Sequence, residues 1–103
     1  MKESTKFREL LGNTPHVRVL EYLIEGRELD HSLTDIAEGA DINRITLYRL
    51  WPSIEKAKII LHSRNVGNAK LYKINLSNHQ IKKLIELFDN TINEGIKKRI
   101  PAE

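Results

Sequence analysis

Cysteine is absent from this chain, and with it go disulfides, thiolate zinc sites and thiol catalysis. Stability must come from packing, and at 103 residues there is room for one domain, 1–103, which gains from burying further surface against a partner. No apolar run approaches the roughly 18 residues that a membrane-spanning helix needs. The N-terminal stretch Met1-Lys2-Glu3-Ser4-Thr5-Lys6 lacks the apolar core of a signal peptide, so a cytoplasmic location with no membrane partner is expected. Internal repeats, low-complexity tracts and Ser/Gly linkers are missing too, which supports a single unit.

Catalytic signatures are equally scarce. There is no Gly-rich phosphate loop, nucleophile elbow or isolated carboxylate pair, and the acids between Glu21 and Asp41 fit solvated helix faces. His16, His31, His62 and His79 fall on different elements, without the close spacing of a helical metal site. Each is expected on the surface or at a cap. No enzyme activity, metal or cofactor is therefore expected.

What the chain does have is ordinary globular composition, 40% hydrophobic and 30% charged, which argues against native disorder. Its net charge of +3 is modest, but the distribution is uneven. Residues 1–42 hold five Lys/Arg against nine acids, net −4; residues 43–73 hold seven against one, Glu55, net +6; residues 74–103 hold five against four, net +1. The positive charge is one block. Such a block suits a polyanionic partner, depending on the segment that carries it.

The hydrophobic spacing predicts a helical turn at 7–11, ended by Gly12-Asn13. Thr14-Pro15 offers an N-cap and a proline at the first helical position, followed by Val17, Leu20, Leu23 and Ile24 on one face and Gly26 as a stop. Ser32 and Asp35 form a capping-box pattern before a short helix over 33–40, closed by Asp41. Asn43 caps a third core helix to about residue 57, its apolar stripe being Leu47, Leu50, Trp51 and Ile54. Pro52 should kink or divide it, leaving the straight part before Trp51.

Two β-prone runs, 59–63 and 71–76, flank a turn segment at 64–70 and predict a hairpin, with a very short strand at 29–31 beside it. From Ser77 a long helix carries Ile81, Leu84, Ile85, Phe88, Ile92 and Ile96 on one stripe until Pro101. The expected fold class is mainly α with a small β-hairpin, an α+β arrangement.

Residues 15–76 resemble winged helix-turn-helix regulators of the kind found among small archaeal proteins and in the ArsR and MarR groups. The resemblance is carried by Ile36-Ala37, Asp41-Ile42-Asn43, Thr46-Leu47-Tyr48-Arg49, Trp51, Ile54, Ile59-Ile60 and the wing Arg64-Asn65-Val66-Gly67-Asn68-Ala69-Lys70-Leu71-Tyr72. Asp41 and Lys58 stand where that pattern often has glycine, and Pro52 is a further departure. The resemblance implies a DNA-binding core at 14–76, a dimerisation helix at 77–100 and a role in transcription regulation.

An α-helix fits the major groove of B-DNA, where base edges are distinguishable. If Leu47, Leu50, Trp51 and Ile54 face inward, the opposite side displays Arg44, Ile45, Tyr48, Arg49 and Pro52. Arg44 and Arg49 can pair with guanine, Ile45 can touch a thymine methyl, and Thr46 and Tyr48 can reach phosphate or base oxygens. Asn43 can contribute, although it also serves as the cap. Arg64, Asn65, Asn68 and Lys70 on the wing, with Lys56 and Lys58 near the backbone, complete the expected contact set.

Six large apolar residues on the last helix exceed what a peripheral helix needs, so Ile81, Leu84, Ile85, Phe88, Ile92 and Ile96 are expected at a two-fold homodimer interface, joined by Phe7, Leu10 and Leu11. The DNA partner is then double-stranded and pseudo-palindromic. A winged-helix module for protein contact, without specific DNA binding, is the alternative; the acid-poor block speaks against it.

Overall fold

The computed structural model describes residues 5–99, with the side chains of 5–93. Five helices and one hairpin follow in order: α1 (Lys6–Leu11), α2 (Pro15–Glu25), α3 (Leu33–Ala40), α4 (Arg44–Lys56), β1 (Ile60–Val66), β2 (Ala69–Ile74) and α5 (His79–Arg99). This is the winged-helix arrangement of an α+β domain.

Side-chain capping sets where the first four helices begin. Thr5, Thr14, Ser32 and Asn43 each accept from a backbone N–H of the first turn, satisfying a donor that has no carbonyl one turn earlier. The Ser32–Asp35 capping box closes in both directions, at 3.1 Å and 3.0 Å. Asp41 ends α3 in the left-handed conformation at φ 57°, and Ile42 N–H then bonds back to the Ala37 carbonyl at 3.0 Å. Chain direction reverses there, delivering Asn43 to the start of α4.

The core is formed by Val19, Leu23 and Ile24 of α2, Ile36, Ala37 and Ala40 of α3, and Leu47, Trp51 and Ile54 of α4, with Ile59, Ile60, Tyr72 and Ile74 of the wing base. The inward face of α2 is rotated from the expected one: Val19 is fully buried, whereas Val17 and Leu20 are only partly so. Pro52 does not divide α4, which runs as one helix through Lys56. A proline in the third turn removes a single hydrogen-bond donor, and the Ser53 hydroxyl bonds the Leu50 carbonyl at 2.8 Å while Trp51 and Ile54 hold the inner face.

The hairpin reaches further than its β-prone runs. Val66 pairs with Ala69, so strands occupy most of the expected turn segment and only Gly67-Asn68 form the loop. Gly67, at φ 60°, takes the first position, where a two-residue hairpin favours glycine. The short third strand reduces to one antiparallel bridge, in which His31 and Tyr72 exchange N–H···O bonds of 2.8 Å each way.

Two further expectations are corrected. Glu21 does not lie on a solvated face: it is buried and ion-paired to Arg8. His31 is neither surface nor cap but 5% exposed, its Nε2 at 2.9 Å from the Gly26 carbonyl and its Nδ1 at 3.0 Å from the Tyr22 hydroxyl. Since a carbonyl can only accept, Nε2 carries the proton and Nδ1 accepts from Tyr22. Burial pushes the Tyr22 phenol up, with the Asp35 and Glu38 carboxylates adding to the shift.

Among the described residues no helix is long and apolar enough to cross a membrane.

Candidate nucleic-acid interface

The amphipathic division of α4 leaves one face of the helix in solvent. Leu47 and Ile54 are fully buried, and because the helix repeats every 3.6 residues, Arg44, Ile45, Tyr48, Arg49, Pro52 and Lys56 stand exposed opposite them. Ile45 is 64% exposed and Tyr48 48%, values that packing inside this chain does not account for. Thr46 is half-buried, and Asn43, exposed, uses its Oδ1 to accept from Thr46 N–H at 2.8 Å. The cap role of Asn43 thus occupies one of its lone-pair positions and leaves the amide N–H groups on the surface.

Arg44 is held before any ligand arrives. Its Nη1 donates to Thr34 Oγ1 at 2.9 Å, Nη2 donates to the Tyr48 hydroxyl, and the guanidinium carbon lies 5.4 Å from the Tyr48 ring centroid. Such stacking and bonding cut the rotamer freedom that an arginine loses on contact. Arg49, one turn further along and exposed, faces solvent on the same helix.

The wing contributes Arg64, Asn65, Asn68 and Lys70, all exposed. A register shift between His62 and Arg64 makes Ser63 a bulge residue, and bulges re-aim neighbouring side chains. Here both Ser63 Oγ and Arg64 Nε reach Asp30 Oδ2, at 2.9 Å and 2.8 Å. The bonds from Arg64 and then Ser63 hold the Asp30 carboxyl below its usual range, and the same bond raises the Arg64 guanidinium. Asn65 is bonded to His62 at 2.8 Å. Asp30 and Thr34 went unnoticed in the sequence because both act across elements, at separations of 34 and 10 residues from their arginines.

Lys58 turns the chain from α4 into β1 at φ 57°. Its carbonyl accepts from Asn75 Nδ2 at 3.0 Å and Asn78 Nδ2 at 3.1 Å, so the wing leaves the helix at a clamped angle. Neither asparagine stood out by spacing.

The C-terminal stripe is divided. Ile81 and Phe88 are each 4% exposed within one chain, with Phe88 edge-on to Phe7 at 5.6 Å. These three, expected at a dimer interface, belong instead to the protomer's own core, because α5 folds back on α1. Leu84 and Ile85 are partly buried, and Leu10, Leu11 and Ile92 remain exposed. The side chain of Ile96 lies outside those described.

No family model matches the sequence, and no curated protein matches it. Solved structures do match by fold. MepR, a transcription regulator of the Staphylococcus aureus multidrug efflux pump MepA, superposes with a TM-score of 0.60 at 15% identity, over 93% of this chain and 71% of that one. A MepR variant bound to an oligodeoxyribonucleotide gives 0.59 at 16% identity, over 93% and 72%. Sso10a-2, a DNA-binding protein from Sulfolobus solfataricus, gives 0.53 at 15% identity, over 84% and 96%. The likeness is one of fold, and these structures are winged-helix proteins.

Proposed function

We propose that this protein binds double-stranded DNA sequence-specifically, as a homodimeric transcription regulator with no catalytic role, in the cytoplasm. The observation that carries this reading is the free face of α4, where Arg44, Ile45, Tyr48 and Arg49 project into solvent from a helix whose other side is locked into the core. Arg49 pairs with guanine edges in the major groove, with Arg44 at the start of the same exposed face, and Ile45 meets a thymine methyl. Lys56, Arg64, Asn65, Asn68 and Lys70 follow the backbone beside it. The basic block at 43–73 supplies the long-range attraction. The fold shared with a regulator bound to an oligodeoxyribonucleotide supports the same assignment.

Two copies related by a two-fold axis set their recognition helices about 34 Å apart, in successive major grooves of a pseudo-palindromic site. Leu10, Leu11, Ile85 and Ile92 supply apolar surface for that pairing, with Leu84 beside them.

Duplex DNA enriched from a random pool tests the reading. The selected duplex binds with an affinity that falls steeply with salt, and Arg49→Ala costs about 1 to 3 kcal/mol on it while relaxing its sequence preference. Equal losses on selected and random duplexes contradict base reading. Failure to retain any duplex at low salt returns the fold to a protein-contact role.

A further inference from the structure

We propose that the cleft between the start of α3, the first turn of α4 and the wing is the seat of one DNA phosphodiester, gripped from the helix side by Arg44 and from the wing side by Lys70. This rests on the DNA-binding reading above and adds that recognition helix and wing hold the same phosphate.

The cleft encloses about 270 Å³ and is lined by Ser32, Thr34, Arg44, Asn68, Lys70 and Tyr72, among others, with no acid in its wall. That is several times the roughly 30 Å³ share of a water molecule, room for a tetrahedral oxyanion. Arg44 spends one N–H on Thr34 and one on Tyr48, which leaves three of its five donors. Asp35, the first carboxylate of α3 in sequence, is engaged with the Ser32 backbone N–H at 3.0 Å.

The walls are tied together at their base. His31 and Tyr72 exchange two backbone bonds, and His31 directly precedes Ser32, the cap of α3, while Tyr72 lies two residues after Lys70 on β2. The separation between the α3–α4 side and the wing side is thereby set by the sheet bridge rather than by the ligand. Two cations lining one cleft repel each other, and an anion between them relieves that repulsion. A duplex lying along α4 and the wing brings such an anion with each nucleotide.

Methylphosphonate substitution tests this, because it neutralises one backbone phosphate at a time. On a bound duplex scanned position by position, one substitution weakens the wild-type protein several-fold, weakens Lys70→Ala and Arg44→Ala by less because each has already lost one of the two contacts, and is silent in the variant that carries both changes. Lys70→Ala weakens selected and random duplexes alike and lowers the salt slope by about one. A diminished effect that falls at different positions in the two single variants overturns the shared seat while leaving DNA binding intact. Saturable shifts of the Arg44 and Lys70 resonances with inorganic phosphate alone, and no shared position on DNA, mark a free-oxyanion site and overturn it as well. Absence of duplex binding by the wild type overturns both readings.

Discussion

Arg8 donates from Nε to Glu21 Oε1 at 2.5 Å, and the two side chains are 5% and 2% exposed. The Thr5 hydroxyl donates to the other carboxylate oxygen at 2.7 Å. Thr5 also caps α1, so one carboxylate on α2 fixes both the start and the orientation of the N-terminal helix. Phe7 of that helix then reaches Phe88 of α5.

Removing one member of a buried pair strands the other charge. Glu21→Ala therefore lowers unfolding stability by about 3 to 5 kcal/mol in urea denaturation. The double variant Arg8→Met with Glu21→Leu recovers most of that loss, since apolar groups of similar volume need no partner. A Glu21→Ala protein as stable as the wild type would disprove the role of the pair.

Backbone conformation gives two opposite expectations. Lys58 sits at φ 57°, so Lys58→Gly stabilises by up to about 1 kcal/mol, the left-handed strain it removes exceeding the added chain entropy. Gly39 is different: a Cβ there would collide with the Tyr22 ring. Gly39→Ala loses about 1 to 3 kcal/mol through displacement of that ring, visible as a lowered Tm and altered Tyr22 aromatic shifts.

The Asp30–Arg64 contact is legible by titration. Asp30 has its folded pKa depressed, chiefly by the bond from Arg64, so its contribution is complete above the ordinary value of 3.8 and is lost as pH falls through the lower folded value. Carboxyl NMR places the Asp30 midpoint below 3.8 in the wild type and raises it in Arg64→Ala. An unchanged midpoint refutes the contact. At neutral pH the anchor is intact, and protonation of Asp30 does not modulate wing position there.

Oligomerisation is tested on residues that the protomer leaves exposed. Leu10→Glu combined with Ile92→Glu yields a folded monomer in sedimentation, because neither side chain is part of the single-chain core. Phe88 is unsuitable for this purpose, since a charge there breaks the protomer itself. A wild-type protein already monomeric at micromolar concentration removes the dimer from the proposal.

Local chemistry was readable without coordinates where it involved near neighbours. Thr14, Ser32 and Asn43 as caps, the left-handed Asp41, and the outward set from Arg44 to Arg49 depend on interactions within four residues or on helical period. The register of the hairpin was harder: Arg64 and Asn65 read as turn residues, yet cross-strand pairing with Leu71 and Lys70 extends the strands through them.

The amino-acid order alone determined the sequence of elements, the caps that start them and the cationic side of α4, because capping and periodicity are short-range. Only the folded arrangement decided that Glu21 and His31 are interior, that Phe88 serves its own chain, and that Asp30 and Thr34 steer arginines far from them in sequence. Burial and ion pairing of that kind depend on which surfaces meet, and the meeting of α1 with α5 and of His31 with Tyr72 is written in no local pattern.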